Sequence, residues 1–261
     1  MNEDHQPLLN MARFRFYAEL NDFLPVGRRQ VEFNYPFRGN PAVRDAVEAL
    51  GVPHTEIDLI IVQGRSVGFD YHLQDGDRVA VYPVFEAFDI TPVIRLRPEP
   101  LRQTRFILDV HLGKLARLLR LTGFDCAYKK LAEDRQIIEQ ALAERRIILT
   151  RDIGLLKTKS VTHGYWVRST DPGEQLLEVL GRFDLRNQVF PFSRCSVCNG
   201  VIESIDREEG ILEAPEKVKA WCSEYFRCDT CRRLYWKGTH YKRITGYISR
   251  MLAELDNRIN D

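Results

Sequence analysis

Long hydrophobic runs are missing from this 261-residue sequence. No uninterrupted apolar stretch is long enough for a helix to cross a bilayer, so a membrane partner is not expected. The opening MNEDHQPLLNMA lacks the basic start and apolar stretch of a secretion signal and reads as a short flexible leader over residues 1–11. A large excess of either charge is lacking too, since 38 Lys and Arg face 37 Asp and Glu. What remains, 44% hydrophobic and 29% charged residues, is the composition of a folded globular chain, expected in the cytoplasm. Six cysteines that include two CxxC pairs point, in a reducing compartment, to metal ligation more than to disulfides.

The overall balance hides an uneven distribution. Residues 1–100 carry 10 basic and 15 acidic side chains (−5), residues 101–190 carry 16 and 11 (+5), and residues 191–261 carry 12 and 11 (+1). An acidic front is joined to a basic middle.

The three stretches also differ in pattern. Strand-like alternation in RFRFYAEL, QVEFNYPF and RVAVYPV, with one helix-like piece NPAVRDAVEALG, predicts a small β-grasp domain over 12–93. Its helix is expected to start near Asn40 and Pro41 and to stop at Gly51. RLRPEPLRQ, within 94–104, reads as a linker. From 105 to 190 strands and helices alternate, the pattern of an α/β domain with a mainly parallel sheet. RFILDV, FDCAY, RIILT and GYWVRS are its expected strands. Helices fall between them, with Leu112, Leu115, Leu118 and Leu119 on one inward face and Ile137, Ile138, Ala141 and Leu142 on another.

Three aspartates recur at equivalent junctions. Asp109 ends the first strand of the α/β domain, Asp134 opens a helix after the second, and Asp152 follows the third. In a parallel sheet these junctions share the carboxyl edge, where such folds gather their sites. Carboxylates converging there need a cation, and hard oxygen ligands suit Mg²⁺ or Mn²⁺. N-capping is the structural alternative for Asp134 and Asp152, and the favoured one for Asp171. Lys114 and Arg117, one turn and two past Asp109, are candidates to hold a substrate phosphate; Arg151 and Lys157 are further cations flanking Asp152. A solvated helix face is the alternative for each.

Cys195-x-x-Cys198 and Cys228-x-x-Cys231, separated by 29 residues, are two knuckles that together supply four thiolates to one tetrahedral Zn²⁺. A closed four-cysteine shell is structural, so a zinc ribbon is predicted over 191–243, with an amphipathic helix over 244–261. FRCDTCRRLYWKGTHYKR, from Phe226 to Arg243, holds six Lys or Arg, four aromatics and one acid. Arg232, Arg233 and Lys237 are candidates to track nucleic-acid phosphates, His240 to bind a phosphate or donate a proton, and Tyr235, Trp236 and Tyr241 to stack on unpaired bases. A core role for Trp236 and a structural one for His240 are the alternatives.

RFILDVHLGKLARLLRLTGFD, RRIILTRD, RCSVCNG and FRCDTC with YWKGTHY together resemble the Mut-seven C-terminal ribonuclease domain family, a PIN-like nuclease fold with an appended zinc ribbon. The front module is similar to the ubiquitin-like domain found fused ahead of it, and its Asp75-Gly76-Asp77 turn resembles that of ubiquitin-like sulfur carriers. Those carriers end in a free Gly-Gly, whereas FEAFDITPV continues here, so a binding or packing module is expected instead. The family resemblance implies a metal-dependent RNase with Asp109, Asp134 and Asp152 as its acidic cluster. The alternatives are a non-catalytic RNA-binding adaptor and a scaffold whose ubiquitin-like module recruits a protein partner.

Overall fold

The computed structural model describes residues 9–83 and 104–260; the expected linker lies outside these except for its last residue. The chain divides into two compact units. Among the described residues, the first holds 9–83 with 152–166, and the second 104–151 with 167–260.

Strands β1 (Asn10–Phe16) and β2 (Phe33–Phe37), helix α1 (Val43–Ala49) and strands β3 (Ile57–Val62), β4 (Arg65–Val67) and β5 (Arg78–Pro83) build the front of the first unit. The sheet order is β2-β1-β5-β3-β4, with β1 parallel to β5 and the other pairs antiparallel, which is a β-grasp. Period-two alternation explains it: Ala12, Phe14 and Phe16 point inward while Arg13 and Arg15 face water. Val43, Ala46 and Val47, at helical spacing, complete the core under the sheet. Burying each large apolar side chain there stabilises the fold by about 1.5–3 kcal/mol. The helix starts at Val43 with Ala42 as its cap residue, so Asn40 and Pro41 stand outside it. The Asp75-Gly76-Asp77 turn forms as predicted. Gly76 has φ +81, Asp75 accepts from the Met11 N–H at 2.8 Å, and buried Asp77 accepts from the Gln74 N–H at 2.9 Å.

The second unit begins with β6 (Arg105–Leu108), α2 (Gly113–Leu121), β7 (Asp125–Tyr128), α3 (Asp134–Glu144) and β8 (Ile147–Thr150). β6 lies between β7 and β8 and is parallel to both. In α2, Leu115, Ala116 and Leu119 are buried; in α3, Ile137 and Ala141 are, but Ile138 is half-buried and Leu142 is 45% exposed. The apolar stripe of α3 is thus narrower than expected. The chain next contributes α4 (Ile153–Leu156) and β9 (Gly164–Trp166) to the first unit, then returns with α5 (Pro172–Arg182).

The remainder carries β10 (Ile202–Ile205), α6 (Arg207–Glu213), α7 (Glu216–Lys219), β11 (Tyr225–Cys228), β12 (Leu234–Trp236) and α8 (Thr239–Asn260). The antiparallel order β10-β11-β12 is a small ribbon with its own core of Ala214, Val218, Cys222 and Tyr225. Helix α8 starts at Thr239, not Ile244, and buries Ile248, Met251 and Leu255. Gly123 closes α2 at φ +101, and a Cβ there would run into the Phe190 carbonyl, so the link into the ribbon passes over a position that only glycine suits.

Candidate metal centre and nucleic-acid groove

The two knuckles meet. Sγ of Cys195 lies 3.7 Å from that of Cys231, and Sγ of Cys198 lies 3.4 Å from that of Cys228; all four sulfurs fall within 4.8 Å of one another. Tetrahedral Zn–S bonds of about 2.3 Å require sulfur separations of about 3.8 Å, so the donor set fits one Zn²⁺. Each knuckle turns back through a left-handed residue just after its second cysteine, Asn199 at φ +74 and Arg232 at φ +60. Burial alone would raise the Cys195 thiol. The Tyr235 hydroxyl at 2.9 Å and the backbone N–H groups of Cys198 and Val197 instead bring it down to about 6, which favours the thiolate that a metal needs. Cys126 and Cys222 lie apart from this cluster, both buried; burial pushes the Cys126 thiol up to about 12.

The ribbon is fastened to the parallel sheet by its first knuckle. Asn199 Oδ1 accepts from the Cys126 N–H at 2.9 Å, and its Nδ2 donates to Asp125 at 2.8 Å. Buried Arg120 donates to the carbonyls of Cys126 and Val197, both at 2.9 Å. These bonds explain why 104–151 and the ribbon form one unit.

Between α2, the ribbon and the start of α8 lies a groove of about 660 Å³. Seven of the predicted substrate contacts line it: Arg117 from α2, and Arg233, Tyr235, Trp236, Lys237, His240 and Tyr241 from the ribbon and α8. Phe190, 73% exposed, and Phe192, whose ring sits 4.4 Å from that of Tyr241, add aromatic surface from the segment that enters the ribbon. Arg194 is a fourth cation, and none of the lining residues is acidic. The Tyr235 hydroxyl is committed to Cys195, so this side chain offers only its ring to the groove. Trp236 both lines the groove and packs on the ribbon core.

The carboxylates behave differently. Asp109 is buried, 5% exposed; Oδ1 accepts from the His111 N–H at 2.7 Å and Oδ2 from the Thr150 hydroxyl at 2.6 Å. The strand expected to reach Val110 therefore ends at Leu108, and Asp109 caps the short 3₁₀ turn Val110–Leu112. Asp152 is exposed and caps α4 through the Gly154 N–H at 2.7 Å. Exposed Asp134 is the first residue of α3, whose capping box is supplied by Glu133 and Gln136. Asp171 caps α5, accepting from Gly173 and Glu174. Among the described residues, the four cysteines are the one group of three or more His, Cys, Asp or Glu whose donor atoms gather within reach of a single ion. The oxygen chemistry of Asp109, Asp134 and Asp152 suits Mg²⁺ or Mn²⁺; Asp109 and Asp134 belong to the second unit and Asp152 to the first.

Two predicted cations are spent on backbone. Arg151 Nη1 donates to the carbonyls of Val167, Arg168 and Ser169, and Lys157 Nζ donates to the Glu48 carbonyl at 2.8 Å. Arg232 is exposed at its knuckle turn, 3.9 Å from Glu209, and is not among the groove-lining residues. Lys114 is exposed on the first turn of α2.

A family model described as Mut7-C RNAse domain matches residues 104–248, and one described as Mut7-C ubiquitin matches residues 9–89. The chain belongs to the Mut7-C RNAse domain family. No curated protein matches it. Among solved structures it is similar to small archaeal modifier protein 1 of Haloferax volcanii, at 19% identity over 28% of this chain and 97% of that one, with a TM-score of 0.23. A second is a putative molybdopterin converting factor, subunit 1, of Pyrococcus furiosus, at 25% identity over 28% and 97%, also with a TM-score of 0.23.

Several residues that shape the Mut7-C domain escaped the sequence reading. Thr150 ends β8, and only the β6–β8 pairing reveals its reach to Asp109. Phe190 and Phe192 straddle the expected boundary at 190, one in each expected domain, and so were not read as one surface. Asn199 did carry a signal: asparagine tolerates the left-handed turn after a CxxC pair.

Proposed function

We propose that this Mut7-C chain is a ribonuclease that binds single-stranded RNA in the acid-free groove and hydrolyses its phosphodiester bonds. The observation that carries the reading is the groove itself: Arg117 and Arg233, with Arg194 near Asp125 and Lys237 paired to Glu224, stand beside the rings of Phe190, Phe192, Trp236 and Tyr241. Membership in an RNase domain family supports the hydrolytic part. Cys195, Cys198, Cys228 and Cys231 would hold a structural Zn²⁺ that keeps β11 and β12 in register under the groove. Asp109, Asp134 and Asp152 are the residues that would hold Mg²⁺ or Mn²⁺, which when bound supplies an activated water and neutralises developing charge. Thr150 holds the Asp109 carboxylate in place, and Arg117 with Lys114 orients the phosphate. The setting is cytoplasmic RNA processing or decay; among the described residues no helix is long and apolar enough to cross a membrane.

The local capping by Asp109 and Asp152 favours one second reading, a non-catalytic RNA-binding adaptor. Incubating the protein with labelled single-stranded RNA and Mn²⁺ separates the two. A nuclease gives cleavage that falls at least about a hundredfold in Asp109→Asn and in which Arg117→Ala mainly raises KM. RNA retention without cleavage in any divalent ion selects the adaptor.

A further inference from the structure

One corner of the ubiquitin-like module is engaged by the chain segment that directly follows Asp152. His54 is buried, 6% exposed, and its Nε2 lies 2.8 Å from the Val161 carbonyl oxygen. A carbonyl only accepts, so Nε2 carries a hydrogen. Nδ1 lies 2.6 Å from Glu48 Oε1. Lys157 Nζ donates to the Glu48 carbonyl at 2.8 Å, and Arg44 Nη2 to the Lys159 carbonyl at 3.3 Å. At the far end, fully buried Glu56 accepts from the Trp166 N–H at 2.6 Å, and the Trp166 ring packs 4.9 Å from that of Phe23.

Burying an imidazole and a carboxylate is costly unless each is hydrogen-bonded. In the folded unit the segment supplies part of that bonding, the Val161 carbonyl to His54 Nε2–H and the Trp166 backbone N–H to Glu56. The polar groups of this corner are therefore explained by the segment they hold. The segment in turn carries α4 and β9, and fixing its backbone costs conformational entropy that these bonds help to offset.

We propose that the ubiquitin-like module is a positioning element for Asp152–Trp166, with His54 and Glu56 as its positioning residues, so that this corner serves the chain's own nuclease segment and not a separate protein partner. Only the consequence for turnover rests on the RNase reading.

Hydrogen exchange on the full chain tests the joint. In His54→Ala and in Lys157→Ala, amides over 157–166 are expected to exchange about tenfold faster, while those of β1 and β5 keep the wild-type rate. His54→Gln, which retains an N–H donor, should stay closer to wild type. In RNA cleavage, His54→Ala lowers kcat with KM within about twofold, and His54→Gln recovers part of the loss. Unchanged exchange in both alanine variants overturns the proposal, as does faster exchange with undiminished kcat. Should the wild type cleave no RNA, the RNase reading falls, and exchange alone decides whether the module holds the segment.

Discussion

Asp125 ties three elements together with one carboxylate: Arg146 donates to it at 2.6 Å and Asn199 at 2.8 Å, with Arg194 3.7 Å away. Burial works to raise its pKa, but the bonds from Arg146 and Asn199 outweigh that and hold it below the usual carboxylate range. The folded chain therefore binds fewer protons here than the unfolded chain, in which an aspartate titrates near about 3.9. The contribution is present above that value and is lost as pH falls through the lower, folded one. Urea melts at decreasing pH should show this loss in the wild type and less of it in Asp125→Asn, which should be about 1–3 kcal/mol less stable at pH 7. An identical acid slope in the two proteins would assign the effect elsewhere. At this scale the sequence spoke through chemistry more than position. A carboxylate following the buried run Phe106–Leu108 marked Asp109 as unusual, whereas its hydroxyl partner, 41 residues away, left no mark.

The knuckles illustrate what an element encodes by itself. Two residues between cysteines suit a tight turn with both thiols on one side, so CxxC spacing foretold the cluster before any coordinates. Nothing in that spacing foretold that the Tyr235 hydroxyl would bond Cys195, or that Asn199 would latch onto β7. Metal removal should consequently be felt beyond the ribbon. Stripping zinc with a chelator is expected to release one Zn²⁺ per chain, loosen β10–β12 and Cys126 in hydrogen exchange, and weaken RNA binding, since structural zinc sites contribute about 10–16 kcal/mol of apparent binding energy in isolated fingers. Metal content by elemental analysis checks the first point; a protein that binds no zinc, or that keeps its RNA affinity without it, would separate the groove from the knuckles. Helix ends were less legible than helix bodies. Asn40 and Pro41 look like a start signal, yet Ala42 caps α1, because sheet and core contacts decide where a helix begins as much as its own propensities.

On the scale of the whole molecule, the groove is where separate stretches of sequence become one surface. Arg117 and Tyr241 are 124 positions apart in the chain and line the same 660 Å³. If RNA binds there, log Kd should vary linearly with log salt, with a slope of about 0.7 per phosphate contacted. Arg233→Ala should lower that slope by roughly one contact's worth, while Trp236→Ala should weaken binding by about 1–3 kcal/mol with the slope unchanged. Titration of a fluorescent oligonucleotide at several salt concentrations reads both, and equal losses with equal slopes would place the RNA elsewhere. What the sequence determined alone is local: strand alternation, helical stripes, the CxxC pairs and the family pattern, all set by neighbours a few residues apart. What only tertiary structure decided is which atoms meet. Asp109 and Asp152 each accept from the backbone N–H two residues on, and the segment after Asp152 supplies partners to His54 and Glu56. Periodicity fixes the side on which a residue lies, but hydrogen-bond partners are fixed by long-range packing, in which each buried polar atom takes whichever partner the folded chain brings within about 3 Å.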